Sequence, residues 1–503
     1  MGRRVVALGL SLTVVCTACG TPPEPEAVVA DVQPVAFINV NVVPMDGEHV
    51  LEGQTVLIRG GYIEAVGPVG ELLVPQDALR IDGEGKYLLP GLADMHVHLW
   101  NEDHMILFLA NGVTTVRNMW GAPLHLRWRE QIDSGELLGP AIYTAGPLMD
   151  GSPPSWDGST VIETREEAHR AVAEQKDAGY DFIKVYGRLS AEAYDALVTA
   201  AAEHGMPVAG HVPIAVGLNG VLAAKQASIE HLGGYVAATL AEDSPLLRSG
   251  SSSGGPSGIA ARVAKRILDG EISFSDVYDE AKIAAVVAAT REAGVWNVPT
   301  LVVFQYISVE EAADLLGRPE MRYVDPGTIA SWVPSEDVSS ETTRYLRVWN
   351  EAKRQRVKTL HDAGARLLLG SDTPNPFVAP GFSIHQELQN LVDSGLTPYE
   401  SIKAGTHDAA EFLDALDLFG TISPGKRADL ILVNGNPLDD VANVARRSGV
   451  MVRGRWLTED ELRSRLEELA DSYGAPNAQF ASMSILSFAI EQQMGVISSR
   501  PIQ

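Results

Sequence analysis

The stretch Leu88-Leu89-Pro90-Gly91-Leu92-Ala93-Asp94-Met95-His96-Val97-His98 ends in two histidines one residue apart. On a strand, side chains alternate faces, so His96 and His98 point one way and Val97 the other. Two imidazoles on one face at a strand end can grip a divalent ion from the same side. Two unrelated loop histidines would give the same short pattern, so the reading depends on further ligands. Four candidates follow. Phe182-Ile183-Lys184-Val185-Tyr186 puts a lysine inside an apolar run, where a buried ammonium costs several kcal/mol unless paired or neutralised. Val208-Ala209-Gly210-His211 and Ile229-Glu230-His231 each end in a histidine, and Leu367-Leu368-Leu369-Gly370-Ser371-Asp372 ends in an aspartate. Taken singly, the lysine could reach water, each histidine could be a satisfied core residue, and the aspartate could cap a helix or form a turn.

The elements carrying these residues decide between the readings. Strand patterns run over Leu92–His98, Thr114–Met119, Ala141–Ala145, Phe182–Tyr186, Val208–His211, Ser228–His231, Asn297–Val303 and Arg366–Gly370. Helical patterns lie between them, among them Thr164–Ala178, Ala191–His204, Glu280–Ala293 and Thr342–Ala363. Strands alternating with helices in this number predict an α/β chain folded as a (β/α)8 TIM barrel over 88–420. The C-terminal ends of parallel strands meet at one mouth. His96, His98, Lys184, His211, His231 and Asp372 would then ring one metal site. The β-rich segments 35–87, with Gly60-Gly61 as a hairpin signal, and 421–458, with Val450–Trp456 as one strand-like piece, predict a small composite β-sandwich domain. An amphipathic helix from Glu459 to Ala470 and a tail complete 459–503.

The chain of 503 residues carries a net charge of -26, which argues against nucleic acid as a partner, since phosphate contacts need clustered Lys and Arg. Arg3-Arg4, the apolar run Val5 to Val15 and Thr17-Ala18-Cys19 predict a secretory signal over 1–19, with Cys19 placed as in a lipoprotein leader. Residues 20–34 read as a Pro- and Glu-rich flexible tether. The expectation is an exported protein, periplasmic or lipid-anchored at the bacterial cell envelope, touching the membrane only through that anchor. Both cysteines, Cys16 and Cys19, lie in the leader, which leaves the rest without a disulfide or a thiolate ligand. Two segments break the barrel rhythm, 242–275 and 305–340, and are expected to form a lid or specificity wall at the mouth. His49, His104, His125, His169, His204, His361 and His407 fall in helices or loops and read as structural.

With these residues in hand, the sequence resembles the binuclear members of the amidohydrolase superfamily, in particular secreted imidazolonepropionase-like and prolidase-like proteins. The resemblance spans roughly Ala36 to Trp456 and includes Leu88-Leu89-Pro90-Gly91 and Pro424-Gly425-Lys426-Arg427-Ala428-Asp429-Leu430. It implies two divalent ions, zinc by donor type. His96, His98 and Asp372 would hold one and His211 and His231 the other, with Lys184 bridging both as a carbamate. It implies a bridging hydroxide as nucleophile, with Asp372 as general base and then general acid. The substrate is expected to be a small molecule with an amide or peptide C–N bond, of dipeptide or N-acyl amino acid type. Tyr186, Arg188, Tyr235 and His385 are candidate substrate contacts, His385 with an anchoring role beside it. The loop Gly146–Pro154 lacks the histidine that prolidase-like relatives carry there, which weakens dipeptide recognition. Esters, lactones or phosphotriesters would suit the same ligands, and a non-catalytic, surface-anchored binding protein is the competing class. A homo-oligomer is open.

Overall fold

The computed structural model describes residues 33–242, 244, 264–304, 314–332 and 340–474, the last range without side chains for 340–346. The leader, nearly all of the tether, the tail beyond 474, the middle of the first insertion and both flanks of the second lie outside the described residues, and so does about half of the expected lid.

The chain opens with β1 (Val35–Val42), β2 (Leu51–Arg59), β3 (Tyr62–Pro68), β4 (Leu79–Asp82) and β5 (Tyr87–Pro90). Gly60 and Gly61, at φ +57° and +85°, make the tight turn from β2 to β3, a hairpin conformation glycine adopts without steric cost. These strands join β16 (Leu430–Val433), β17 (Arg447–Val452) and β18 (Arg455–Thr458) from the other end of the described chain. Together they form one eight-stranded sheet ordered β18-β17-β16-β5-β1-β2-β3, with β4 beside β1. Four strand spacings of about 4.8 Å separate β18 from β1 along a flat sheet. The rings of Phe37 and Trp456 nevertheless meet edge to face at 5.3 Å, so the sheet curls over a shared core of Phe37, Val40, Ile58, Leu88, Leu432 and Met451. The sandwich-like domain is thus one sheet closing on itself. It also takes in Tyr87–Pro90, moving the border with the barrel to Gly91. The single strand expected over Val450–Trp456 is two, because Arg453 and Gly454 at φ +47° and +78° reverse the chain between β17 and β18.

Eight parallel strands form the barrel. They are β6 (Leu92–Val97), β7 (Val113–Asn118) and β8 (Ala141–Thr144), then, after the short pair β9 (Met149–Asp150) and β10 (Thr160–Val161), β11 (Ile183–Val185), β12 (Val208–Gly210), β13 (Ser228–Glu230), β14 (Trp296–Val298) and β15 (Arg366–Leu367). Pairing runs β6-β7-β8 and β9-β11-β12-β13-β14-β15. Parallel bridges Ala145–Phe182 and Val97–Thr373 link the two sheets at both seams. The helix Glu280–Ala293 begins where the Asp279 carboxylate accepts from Ala281 and Lys282 N–H and stops at Gly294 in the left-handed region. The seventh strand stops short of the expected Asn297–Val303 for a local reason. Thr300 takes φ +48° and Leu301–Phe304 coil into a 3-10 turn. The Glu387 carboxylate accepts from Leu301 and Val302 N–H at 2.8 and 2.7 Å and holds that turn.

The described part of the second insertion packs on the loop that follows the barrel's eighth strand. Trp332 is buried against Phe377, and Tyr323 stacks on Phe382 while its hydroxyl donates to Glu467 of the helix Glu459–Tyr473. Among the described residues no helix is long and apolar enough to cross a membrane.

Candidate metal centre

The first barrel strand is seated by close backbone contact. A Cβ on Gly91 would lie 2.1 Å from Thr114 Oγ1, so only glycine lets β6 begin against β7. At the far end of β6, His96 and His98 share a face, as period two requires. The His98 Nε2 lies 3.0 Å and the His96 Nε2 3.3 Å from Asp372 Oδ1. His231 brings its Nδ1 to 3.6 Å from Asp372 Oδ2 and 2.7 Å from Thr300 Oγ1. Asp372, His231 and Thr300 all adopt positive φ, at +58°, +60° and +48°. That conformation costs non-glycine residues roughly 1 kcal/mol or more apiece and tends to persist where surrounding structure enforces it. Here it turns three strand ends sharply inward.

The ring of His211 lies 4.9 Å from that of His231, and the ring of His231 4.7 Å from that of His96. Lys184, 1% exposed, is under the cluster. Its stem passes so close to β12 that a Cβ on Gly210 would fall 3.0 Å from Lys184 Cδ and 2.3 Å from Val185 O. Burial pulls the Lys184 amine down to about 8, against the opposing pull of Glu230 and Asp372. Burial likewise holds His96 and His231 well below the usual imidazole range, so both rings are neutral and have a lone pair to give. Burial also raises the Asp372 carboxyl, opposed by its hydrogen bond from His98.

The donor set fits a metal. His96, His231 and Asp372 offer ligand atoms within 4.8 Å of one another, all buried. His96 Nε2, His98 Nδ1 and His231 Nε2 are buried without a hydrogen-bond partner, a cost a cation would remove. A second group, His407, Asp408 and Glu411, lies nearer the surface, where Lys403 already pairs with Asp408.

Several residues that support the centre carry no short sequence signal. Glu230 accepts from His96 Nδ1 at 2.7 Å through one oxygen, and from Arg117 at 2.8 Å and Ser228 Oγ at 2.5 Å through the other. Arg117 is fully buried and also donates to Met95 O and Ser228 Oγ. A carboxylate behind a ligating histidine fixes its tautomer and leaves Nε2 free for the ion. Asp94 accepts from Ser371 N–H and Oγ–H and from His96 N–H, yet burial outweighs these bonds and raises its carboxyl to about 7. It ties the first barrel strand to the eighth.

The four expected substrate contacts separate. Tyr186 stacks on His211 at 4.0 Å, and its hydroxyl accepts from Trp156 Nε1 at 2.9 Å. Arg188 is exposed, with its guanidinium donating to Pro153 O. Tyr235 is fully buried and shares a hydrogen bond with Thr290 Oγ1 of the helix Glu280–Ala293; it faces the barrel's outer packing, which removes it as a substrate contact. His385 meets Arg447 of β17 at 2.9 Å, and Arg447 also donates to Asn111. Through Arg447 it joins the barrel to the β-domain. Of the histidines read as structural, His125 spans Leu99 O and Ala122 N–H, bracing the loop after His98.

The amidohydrolase family model matches residues 87–457. Curated relatives match over short stretches. A deacetylase of Brucella anthropi is 36% identical over 70 residues, 14% of this chain and 17% of that protein. An imidazolonepropionase of Stenotrophomonas maltophilia is 40% identical over 63 residues, 12% of this chain and 16% of its own. The chain thus spans less than a fifth of the length of these relatives. Among solved structures, bottromycin amidohydrolase superposes with a TM-score of 0.68 at 23% identity, covering 90% of this chain and 95% of that one. A Xaa-Pro dipeptidase with methionine bound in its active site gives 0.61 at 20% identity, covering 85% and 100%. These structural matches show a shared fold.

Proposed function

The chain belongs to the amidohydrolase family, and on that premise we propose that it is a two-metal hydrolase cleaving an amide or peptide C–N bond in a small substrate of dipeptide or N-acyl amino acid type. One observation carries the reading. Neutral histidines with unpartnered ring nitrogens converge with Asp372 at the strand ends, above a buried lysine. His96, His98 and Asp372 would hold one ion and His211 and His231 the other, zinc being the metal that imidazole and carboxylate donors suit best. Lys184 would bridge as a carbamate. An amine titrating at about 8 is partly neutral near pH 7, the form that can add carbon dioxide. Bound dications would acidify water and polarise the scissile carbonyl.

The protein's own groups do the rest. Glu230 holds the His96 tautomer. Asp372 takes the proton of the attacking water and passes it to the leaving nitrogen, and burial brings its carboxyl nearer the range such a shuttle needs. Tyr186, packed on His211, would donate its hydroxyl proton to the oxygen of a tetrahedral intermediate, a role its stacking on a candidate ligand supports. The leader sequence supports export and a lipid anchor at Cys19. The test is metal analysis of protein purified without chelator, followed by a screen of dipeptides, N-acyl amino acids, lactones and phosphotriesters. Two equivalents of metal and turnover of amides are expected. Protein without metal, or turnover confined to esters or phosphotriesters, would overturn the reading.

A further inference from the structure

The two sides of the metal cleft carry opposite chemistry. On the side of the first four barrel strands runs an aromatic wall. Trp100, 39% exposed, stacks on His98 at 5.7 Å. Trp120 meets Trp100 at 5.2 Å and Trp156 at 5.8 Å. Trp156 donates to Tyr186, which lies on His211. The wall therefore runs from a ligand of one metal to a ligand of the other.

Across the cleft, beside the seventh strand, is Lys353 on the helix Ser340–Asp362. It is 5% exposed, with its ammonium 3.2 Å from the centroid of the Phe304 ring. That ring meets His231 edge to face at 6.4 Å. Among the described residues no carboxylate forms a salt bridge with Lys353. Glu387, within electrostatic reach, already accepts from Leu301, Val302 and Asn390. An aromatic face compensates a buried cation only in part, well short of the several kcal/mol its desolvation costs. Burial pulls the Lys353 amine well below the ordinary lysine range, opposed by Asp372 and Glu387, so an anion seated beside it would restore its proton, and its field reaches His211 and His231 at the candidate centre.

We propose that Lys353 binds a carboxylate of the substrate while the wall of Trp100, Trp120 and Trp156 receives a flat aromatic group at the substrate's other end. The substrate class is then an acyl amino acid or dipeptide with one aromatic group and a free carboxylate. This rests on the amide-hydrolase reading and narrows it.

The test uses the metal-loaded full chain with hippurate, its neutral analogue hippuramide, and N-acetylglycine. Hippurate should exceed hippuramide in kcat/KM by about 30-fold or more, the usual weight of a buried charge-assisted hydrogen bond. Lys353→Met should bring that ratio close to one and Lys353→Arg should restore most of it. Trp120→Ala should cut the preference for hippurate over N-acetylglycine about tenfold and leave the acid-to-amide ratio in place. Metal content and thermal melting confirm that each variant is folded. Equal kcat/KM for hippurate and hippuramide, or a ratio unmoved by Lys353→Met, overturns the inference and leaves the hydrolase reading standing. If neither compound is turned over, the hydrolase reading fails for this class, and tryptophan fluorescence decides the binding claim. Quenching by hippurate alone, lost in Lys353→Met, supports it, and equal or absent quenching by both overturns it.

Discussion

Replacing Glu230 with glutamine removes one charge and almost no volume, and should nonetheless cripple the centre. One Glu230 oxygen faces His96 Nδ1 at 2.7 Å, and the other takes protons from Arg117 and Ser228. A glutamine must turn its carbonyl oxygen to one side. If it faces Arg117, the amide N–H₂ points at His96 Nδ1, which must become the acceptor. The imidazole proton then moves to Nε2, the nitrogen beside Asp372 that the ion needs. If it faces His96, two donors oppose each other in a buried site at a cost of about 1–3 kcal/mol. Metal affinity should fall 10- to 100-fold, the usual loss when a ligand's orienting partner goes. Arg117 would also lose its only carboxylate among the described residues while keeping Met95 O and Ser228 Oγ. That places the stability loss near the low end of the roughly 3–5 kcal/mol typical of a broken buried pair. Zinc bound per chain, measured by elemental analysis across a series of chelator-buffered zinc concentrations, reads the first effect. Denaturant unfolding of the metal-free protein reads the second. A variant that binds zinc as tightly as the parent would refute the tautomer argument, whatever its stability.

Asp372→Asn should lower turnover by several orders of magnitude while metal remains detectable; near-parental rates in a metal-loaded sample would remove Asp372 as the proton carrier. Lys184→Ala should lose metal and recover it with added acetate or propionate, followed by elemental analysis, and unchanged metal content without additives would argue against a bridging carbamate. His104 is buried, and burial lowers its imidazole from 6.5 to about 4. The unfolded chain therefore binds the extra proton first, and stability falls as pH drops from about 6.5 toward 4, by roughly 3 kcal/mol for this group. Denaturant unfolding of metal-free His104→Gln between pH 4 and 7 should show a shallower acid loss than the parent, and parallel curves would contradict the assignment.

The barrel and its candidate site residues were readable because five of the six lie where an apolar run stops at a polar residue, and the sixth, Lys184, stands out as a charge inside an apolar strand. The structure brings His96, His98, His231 and Asp372 into one cluster, with Lys184 and His211 beside it. What could not be read is what depends on distant pairing. Glu230 lies next to His231 but serves His96, 134 positions away, and Asp94 serves Ser371 across 277. No local spacing records such contacts. Tyr235 misled because its position after His231 resembles a site position, whereas the positive φ of His231 and Leu232 and the turn after them swing it to the outer helix. Lys353 carries no local sequence signal, and only the packing of the helix Ser340–Asp362 shows it buried.

The β5–β16 pairing also has a temporal consequence. Leu88 and Leu89 meet Leu432 and Ile431 directly, so the strand leading into the two candidate ligand histidines has an open edge until the segment near Val433 has been synthesised. At 5–20 residues per second, the intervening barrel takes roughly 20–70 s to emerge. For that interval the early strands are a hydrophobic surface without its partner, the kind of surface that aggregates or recruits chaperones.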